Sequence, residues 1–175
     1  CSLTEMDVRE CEVMDQANQQ NSDSTYAIEQ ARSDDVNGIL DIIRPLEKTG
    51  ILVKRSKSRI EEDIEAFLIA KWKQQIIGCC AIFAHADKAE LACIAVHERF
   101  RGSSKFPNIG SRLLRASENI ARNRGITTIF VLTTQAREWF LDKGFVDASI
   151  EDLPAQKQEL YNWQRQSKIL AKTLP

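Results

Sequence analysis

The chain has 175 residues, 43% of them hydrophobic, enough to bury one core of its own without disulfide support. Charged residues make up 28% and nearly cancel to a formal net charge of −1, which argues against a nucleic-acid binder. No apolar run approaches the roughly 20 residues needed to span a bilayer, so no membrane partner is expected.

Residues 1–24 are acidic and amide-rich and read as a linker or frayed tail, leaving 25–175 as one domain. The first residue is Cys1, as expected of a trimmed, processed or excised sequence. Tyr26 to Gln30 alternates and predicts a first strand. Ser33 caps a helix with an acidic first turn and an apolar stripe of Val36, Ile39, Leu40 and Ile43; Pro45 predicts a kink or an end near Arg44. Residues 50–56 connect this helix to a second one. They read either as a linker carrying two solvated cations or as a lid presenting Lys54 or Arg55 to a carboxylate. Ser58 and Glu61 form a capping-box pattern for that second helix, with Ile60, Ile64 and Phe67 along one side.

Phe67 to Trp72 and Ile76 to Ala84 are apolar runs separated by Lys73-Gln74-Gln75, an antiparallel hairpin pattern. A turn at Ala86-Asp87-Lys88 leads to the run Ala89 to Val96, short and almost wholly apolar, which fits a buried strand better than a helix. A polar loop from His97 to Asn108 follows. From Gly110 the period becomes helical, with Leu113, Leu114 and Ile120 on one side and Arg112, Arg115, Glu118 and Arg122 on the other; Gly125 stands where a left-handed stop is placed. Thr128 to Thr134 is a β-branched strand, and Ala136 to Lys143 a short helix closed by Gly144. Phe145 to Ser149 is a short strand, Asp152 and Pro154 open a polar helix through Trp163, and Ser167 to Leu174 is the last strand. This order predicts an α+β (mixed α/β) layer fold with one βαβ crossover at its centre.

Five cysteines, two of them adjacent at Cys79 and Cys80, do not form a disulfide pattern, and there is no C-x-x-C; His85 and His97 lie apart, so no metal site is expected. A reducing compartment follows, cytoplasmic or an organellar matrix.

The strand–loop–helix unit at 89–124 suits an anion. The first turn of a helix has backbone N–H groups without internal partners and partial positive charge. Arg101, Lys105 and Arg112 add formal charge, so a pyrophosphate is a natural guest.

The element order resembles the acyl-CoA N-acyltransferase fold of the GNAT superfamily, and VHERFRG…NIGSRLL is similar to its pyrophosphate loop. More narrowly, IRPLEKTGILVKRS, AELACIAVH, FVLTTQAREWFLDKGF and LPAQKQELYNWQRQSKIL resemble the acetyltransferase domain of the N-acetylglutamate synthase family, over roughly residues 26–175. Two departures stand out. The loop is about four residues longer than the usual family pattern, with Asn108 where glycine is common, a residue that tolerates a left-handed backbone. Many members also carry an upstream amino-acid-kinase-like domain that senses arginine. A short stand-alone form or an excised domain is therefore expected, with homo-oligomerisation or association with such a domain as possible assemblies.

The resemblance implies transfer of acetyl from acetyl-CoA to the α-amine of L-glutamate, the first step of arginine biosynthesis. Under it Glu90 is the general base, acting directly or through one water. Ile94, Ala95 and Val96 offer a strand edge to the pantetheine arm, and a bulge near Cys93 frees an N–H for the thioester carbonyl. Arg101, Gly102, Ser103, Ser104 and Lys105, then Asn108, Ile109, Gly110 and Ser111, hold the diphosphate. Thr133 protonates the leaving thiolate, with Tyr161 as runner-up. Two substrate carboxylates call for fixed cations: Lys157 and Arg165, with Lys54 or Arg55 for the second. Cys93 lines the acceptor site; an acyl-enzyme at this cysteine lacks a neighbouring histidine in sequence. The other readings are a GNAT enzyme acting on another amino acid, small amine or protein N-terminus, and a non-catalytic acetyl-CoA-binding regulatory module.

Overall fold

A computed structural model describes residues 25–161 and 166–175. Strands are β1 (Ala27–Gln30), β2 (Phe67–Trp72), β3 (Gln75–His85), β4 (Lys88–Val96), β5 (Thr128–Thr133), β6 (Val146–Asp147) and β7 (Lys168–Thr173). Helices are α1 (Val36–Lys48), α2 (Lys57–Glu62), α3 (Ile109–Asn123), α4 (Arg137–Asp142) and α5 (Ala155–Leu160). The strands form one seven-stranded sheet in the order β1-β2-β3-β4-β5-β7-β6. Among the described residues only β4 and β5 pair in parallel; α3 is the crossover between them.

The sheet is covered on both faces, which is why its strands read as apolar runs rather than as clean alternation. In β2, Leu68 and Ala70 join the core beneath α3 with Ile77, Leu113, Leu114 and Ile129, whereas Phe67 and Ile69 join the core beneath α1 with Ile39, Ile43 and Ile60. The β2–β3 hairpin closes in two residues, with Lys73 at φ 55°. Gly125 (φ 76°) and Gly144 (φ 93°) take the left-handed backbone expected of them as helix stops.

Several local expectations are corrected by context. Helix α1 runs through Pro45 to Lys48 instead of ending near Arg44. Pro45 stands in its last turn and leaves the Asp41 carbonyl without the usual N–H partner, and Gly50 (φ 77°) closes the end. The cap of α2 is Ser56, whose Oγ accepts from the Arg59 N–H at 3.1 Å; Ser58 is already inside the helix, and Phe67 belongs to β2 rather than to the helical face. The last short strand before β7 is only Val146–Asp147. Glu118 does not lie on the solvated side of α3: it is buried, with the Lys172 ammonium at 2.8 Å and an Arg122 nitrogen at 3.7 Å. Residues 1–24 and 162–165 lie outside the described residues, and with them the expected tail, the end of the helix predicted through Trp163, and Arg165.

Candidate functional site

The parallel pairing of β4 with β5 covers only Lys88 to Glu90, opposite Thr128 to Phe130. Beyond Glu90 the two strands separate, so the β5-facing edge of β4 is left without a strand partner. On the other edge, Ala92 pairs with Ala81 and Ala95 with Cys79, so Cys93 and Ile94 together oppose the single residue Cys80. This is a β-bulge, and Cys93 takes φ 54° to make it. A fork and a bulge within four residues give the strand a sharp change in what each side chain faces.

The bulge divides two cavities. Glu90 to Cys93 line one of about 660 Å³, together with Leu132, Lys157, Tyr161 and Ser167. Ile94, Ala95 and Val96 line another of about 620 Å³, which continues past Phe100 and the loop to the first turn of α3 and is walled by Trp139 and Phe140 of α4. The 50–55 segment closes over both: Ile51 faces the second cavity, and Leu52 to Arg55 the first.

In the first cavity Glu90 is buried, and the ammonium of Lys157 lies 2.8 Å from its Oε2. That contact is an ion pair without hydrogen-bond alignment, since Oε2 accepts no hydrogen bond among the described residues. Lys54 and Arg55 both line the same space. The segment is tied down through its backbone. The Arg55 N–H donates to Glu47 Oε2 at 2.8 Å and its carbonyl accepts from Arg44 Nη1 at 2.5 Å, while the guanidinium stands over Phe83 at 5.5 Å. Burial pushes the Cys93 thiol above its ordinary value; the neighbouring Arg55 works in the opposite direction but does not outweigh it. A protonated thiol is a poor nucleophile, which removes the support for an acyl-enzyme.

The second cavity ends where Asn108 caps α3 in a left-handed conformation (φ 64°, ψ 28°). The backbone N–H groups of Ile109, Gly110 and Ser111 open the helix there. The lengthened loop does not fill the cavity. Its Phe106 packs into an aromatic cluster, 5.0 Å from Trp72 and 4.9 Å from Phe100 between ring centres, and the Tyr26 hydroxyl donates to Pro107 O at 3.0 Å. Arg101 Nε donates to Val96 O at 2.9 Å, joining the loop to the end of β4. Next to the helix start is a further cavity of about 630 Å³ presenting Lys105, Arg112, Arg115 and Lys143 and, among the described residues, no carboxylate. Asn108, Ser111 and Lys143 line both of these spaces, so they form one groove.

Most of the expected site residues are thus assembled, but two are not. Ser104 is exposed and lines neither cavity. Thr133 is buried and also lines neither, its Oγ1 accepting from the Ala136 N–H at 3.0 Å at the start of α4. The runner-up Tyr161 does line the first cavity, with its hydroxyl donating to Ser167 O at 2.5 Å. Residues that the sequence reading passed over include Leu132, Trp139 and Lys143; a tryptophan on a short helix carries no mark distinguishing a groove wall from core. Among the described residues no group of three His, Cys, Asp or Glu is placed to hold a metal ion, and no helix is long and apolar enough to cross a membrane.

Residues 63–147 match the family of the acetyltransferase (GNAT) domain. The amino-acid acetyltransferase of Aeromonas salmonicida is 44% identical over 151 residues, covering 83% of this chain and 33% of the relative. That of Vibrio atlanticus is 43% identical over 150 residues, covering 85% and 33%. Among solved structures, N-acetylglutamate synthase from Neisseria gonorrhoeae, complexed with coenzyme A and N-acetyl-glutamate, matches with a TM-score of 0.81 at 38% identity, over 86% of this chain and 35% of that one. The chain therefore spans about a third of the length of these relatives.

Proposed function

Since the chain carries an acetyltransferase (GNAT) domain, we propose that it moves acetyl from acetyl-CoA to the α-amine of L-glutamate. The observation that carries this reading is the position of Glu90, a buried carboxylate at the fork of β4 and β5, in a cavity that also holds Lys54, Arg55 and Lys157. An acidic amino acid needs a base for its ammonium and cations for its two carboxylates, and the cavity offers both.

Glu90 takes the proton of the acceptor ammonium, which frees the lone pair for attack. Arg55, with Lys54 beside it, faces one carboxylate as a backbone-anchored cation; Lys157 faces the other, with Arg165 as a further candidate. A lysine serves there as a point charge rather than a bidentate fork.

Coenzyme A fits the groove on three counts. The free edge of β4 at Ile94 to Val96 accepts an amide-rich arm as a sheet accepts a strand. The α3 start, with Asn108 to Ser111 beside Arg101, Gly102 and Ser103, suits a diphosphate. The adjoining space with Lys105, Arg112, Arg115 and Lys143 suits the 3′-phosphate. When bound, acetyl-CoA supplies an activated acetyl thioester. A hydroxyl for the leaving sulfur comes from Tyr161 or Thr133; Tyr161 already faces the acceptor cavity.

The relatives named amino-acid acetyltransferase and the synthase bound to N-acetyl-glutamate support the same acceptor class. The test is thiol release from acetyl-CoA across a panel of amino acids, small amines and peptides, with the product identified by mass. Glutamate-dependent release of N-acetylglutamate is expected. Release with another acceptor and none with glutamate moves the specificity elsewhere; coenzyme A binding without any release leaves a regulatory module.

A further inference from the structure

We infer that Lys157 masks the base: its ammonium occupies Glu90 until a carboxylate of the acceptor draws it away. The inference rests on the proposed acceptor site and concerns what controls access to Glu90.

One ammonium here has two claimants. Lys157 Nζ stands 2.8 Å from Glu90 Oε2, and the two side chains are only 21% and 6% exposed. Both line the cavity that is to receive the acceptor. The inference places the acceptor ammonium at the oxygen that Lys157 now faces, so the pair parts before a proton moves. Parting it with nothing in exchange strands a buried charge, the costly outcome for any such pair. An acceptor carrying both an ammonium and a suitably placed carboxylate avoids that cost. Its side-chain carboxylate takes Lys157, its ammonium takes Glu90, and two ion pairs replace one with no charge left alone. An amine without that carboxylate finds the pair closed. Selectivity for an acidic acceptor then lies in an exchange of partners as well as in attraction to fixed cations. Arg55 cannot play this part, because its backbone is held by Arg44 and Glu47 and its guanidinium lies against Phe83.

Lys157 is on this account a positioning and selectivity residue, and it makes a prediction opposite to that for an ordinary active-site carboxylate. N-acetyl-L-glutamate has the carboxylates of the acceptor and no ammonium, so it competes with Glu90 for Lys157 and gains nothing from Glu90. Its affinity is measured by calorimetry with coenzyme A present, for the wild type, E90Q, K157M and the double variant. E90Q is expected to bind it about fivefold tighter, the scale of one modest ion pair released. K157M is expected to bind it more weakly, and E90Q is expected to add nothing in the K157M background. Affinity unchanged or lowered by E90Q in the presence of Lys157 overturns the inference while leaving the proposed function standing. No binding by the wild type overturns the acceptor reading and the inference with it. A second measurement does not depend on the E90Q protein. K157M should reduce the ratio of kcat/KM for glutamate over glutamine at least fivefold, whereas a merely structural role lowers both by the same factor and leaves the ratio unchanged.

Discussion

A Cβ placed on Gly78 would stand 2.8 Å from Cγ2 of Ile109 and 3.1 Å from Cδ1 of Leu113. Gly78 is in β3, opposite Val96 of β4, and Ile109 is the first residue of α3, so this contact sets how deeply the start of the helix sits against the sheet. Gly78→Ala should displace that first turn. Overpacking of this kind costs about 1–3 kcal/mol. Coenzyme A affinity, measured by titration, should fall more than that of a Gly125→Ala control, since Gly125 has open space around it and only its φ of 76° to lose.

Glu90→Gln keeps the shape of the side chain and removes the base. The expected loss in kcat is about 10²–10⁴-fold, the usual contribution of general base catalysis. Coenzyme A affinity should stay within a factor of two, because the base acts on the acceptor. A variant that turns over as fast as the wild type across the pH range removes Glu90 from the mechanism.

The leaving-group hydroxyl is settled by a pair of substitutions. Tyr161→Phe should lower kcat by about 10²-fold if it supplies the proton. Thr133→Val should then act through α4 instead, by removing the acceptor for the Ala136 N–H, and show mainly as a lower melting temperature. The opposite pattern transfers the role to Thr133.

The basic space beside α3 makes a test of the cofactor itself. 3′-Dephospho-acetyl-CoA should bind at least tenfold more weakly than acetyl-CoA, as lost charge-assisted contacts cost roughly 1.5–3 kcal/mol. Arg115→Ala should narrow the difference. Equal affinity for the two cofactors would falsify a 3′-phosphate position among Lys105, Arg112, Arg115 and Lys143.

Buried thiols set the alkaline limit of stability. Burial raises Cys79, Cys80 and Cys93 from the ordinary value of 9.0, with Cys80 pushed up to about 12. Above pH 9 the unfolded thiols lose protons that the folded ones keep. The unfolded state then binds fewer protons, and stability falls with rising pH by up to about 1.4 kcal/mol per unit for each thiol. The stabilisation is fully present below pH 9 and is lost as pH rises through the folded values. Denaturant midpoints measured from pH 8 to 11 should fall, and Cys80→Ala should show a shallower decline.

The cavity lined by Glu90 to Cys93 and the cavity lined by Ile94 to Val96 meet at the bulge of β4, and this is where sequence and structure divide the work. Features set by the backbone preference of one residue or by short-range periodicity were legible in the chain. Asn108 in a left-handed cap, Gly125 and Gly144 as stops, the hairpin turn before β3 and the apolar run of β4 all follow from local sterics and from the need to cover two faces of a sheet. Local patterns failed where a distant partner outweighed them. Glu118 matched the polar side of α3 until Lys172 of β7 arrived to pair with it, and Phe67, which local pattern fitted both to a helical stripe and to the start of a strand, is held in the strand by β3. Gly78 has no sequence mark at all, because its small size matters only against Ile109. Lys157 and Glu90 are separated by the whole βαβ crossover, and only the fork of β4 and β5 brings an ammonium onto a buried carboxylate. Residue types and local backbone preferences are properties of the chain; which charges share a cavity depends on how the sheet closes, and that is decided by packing.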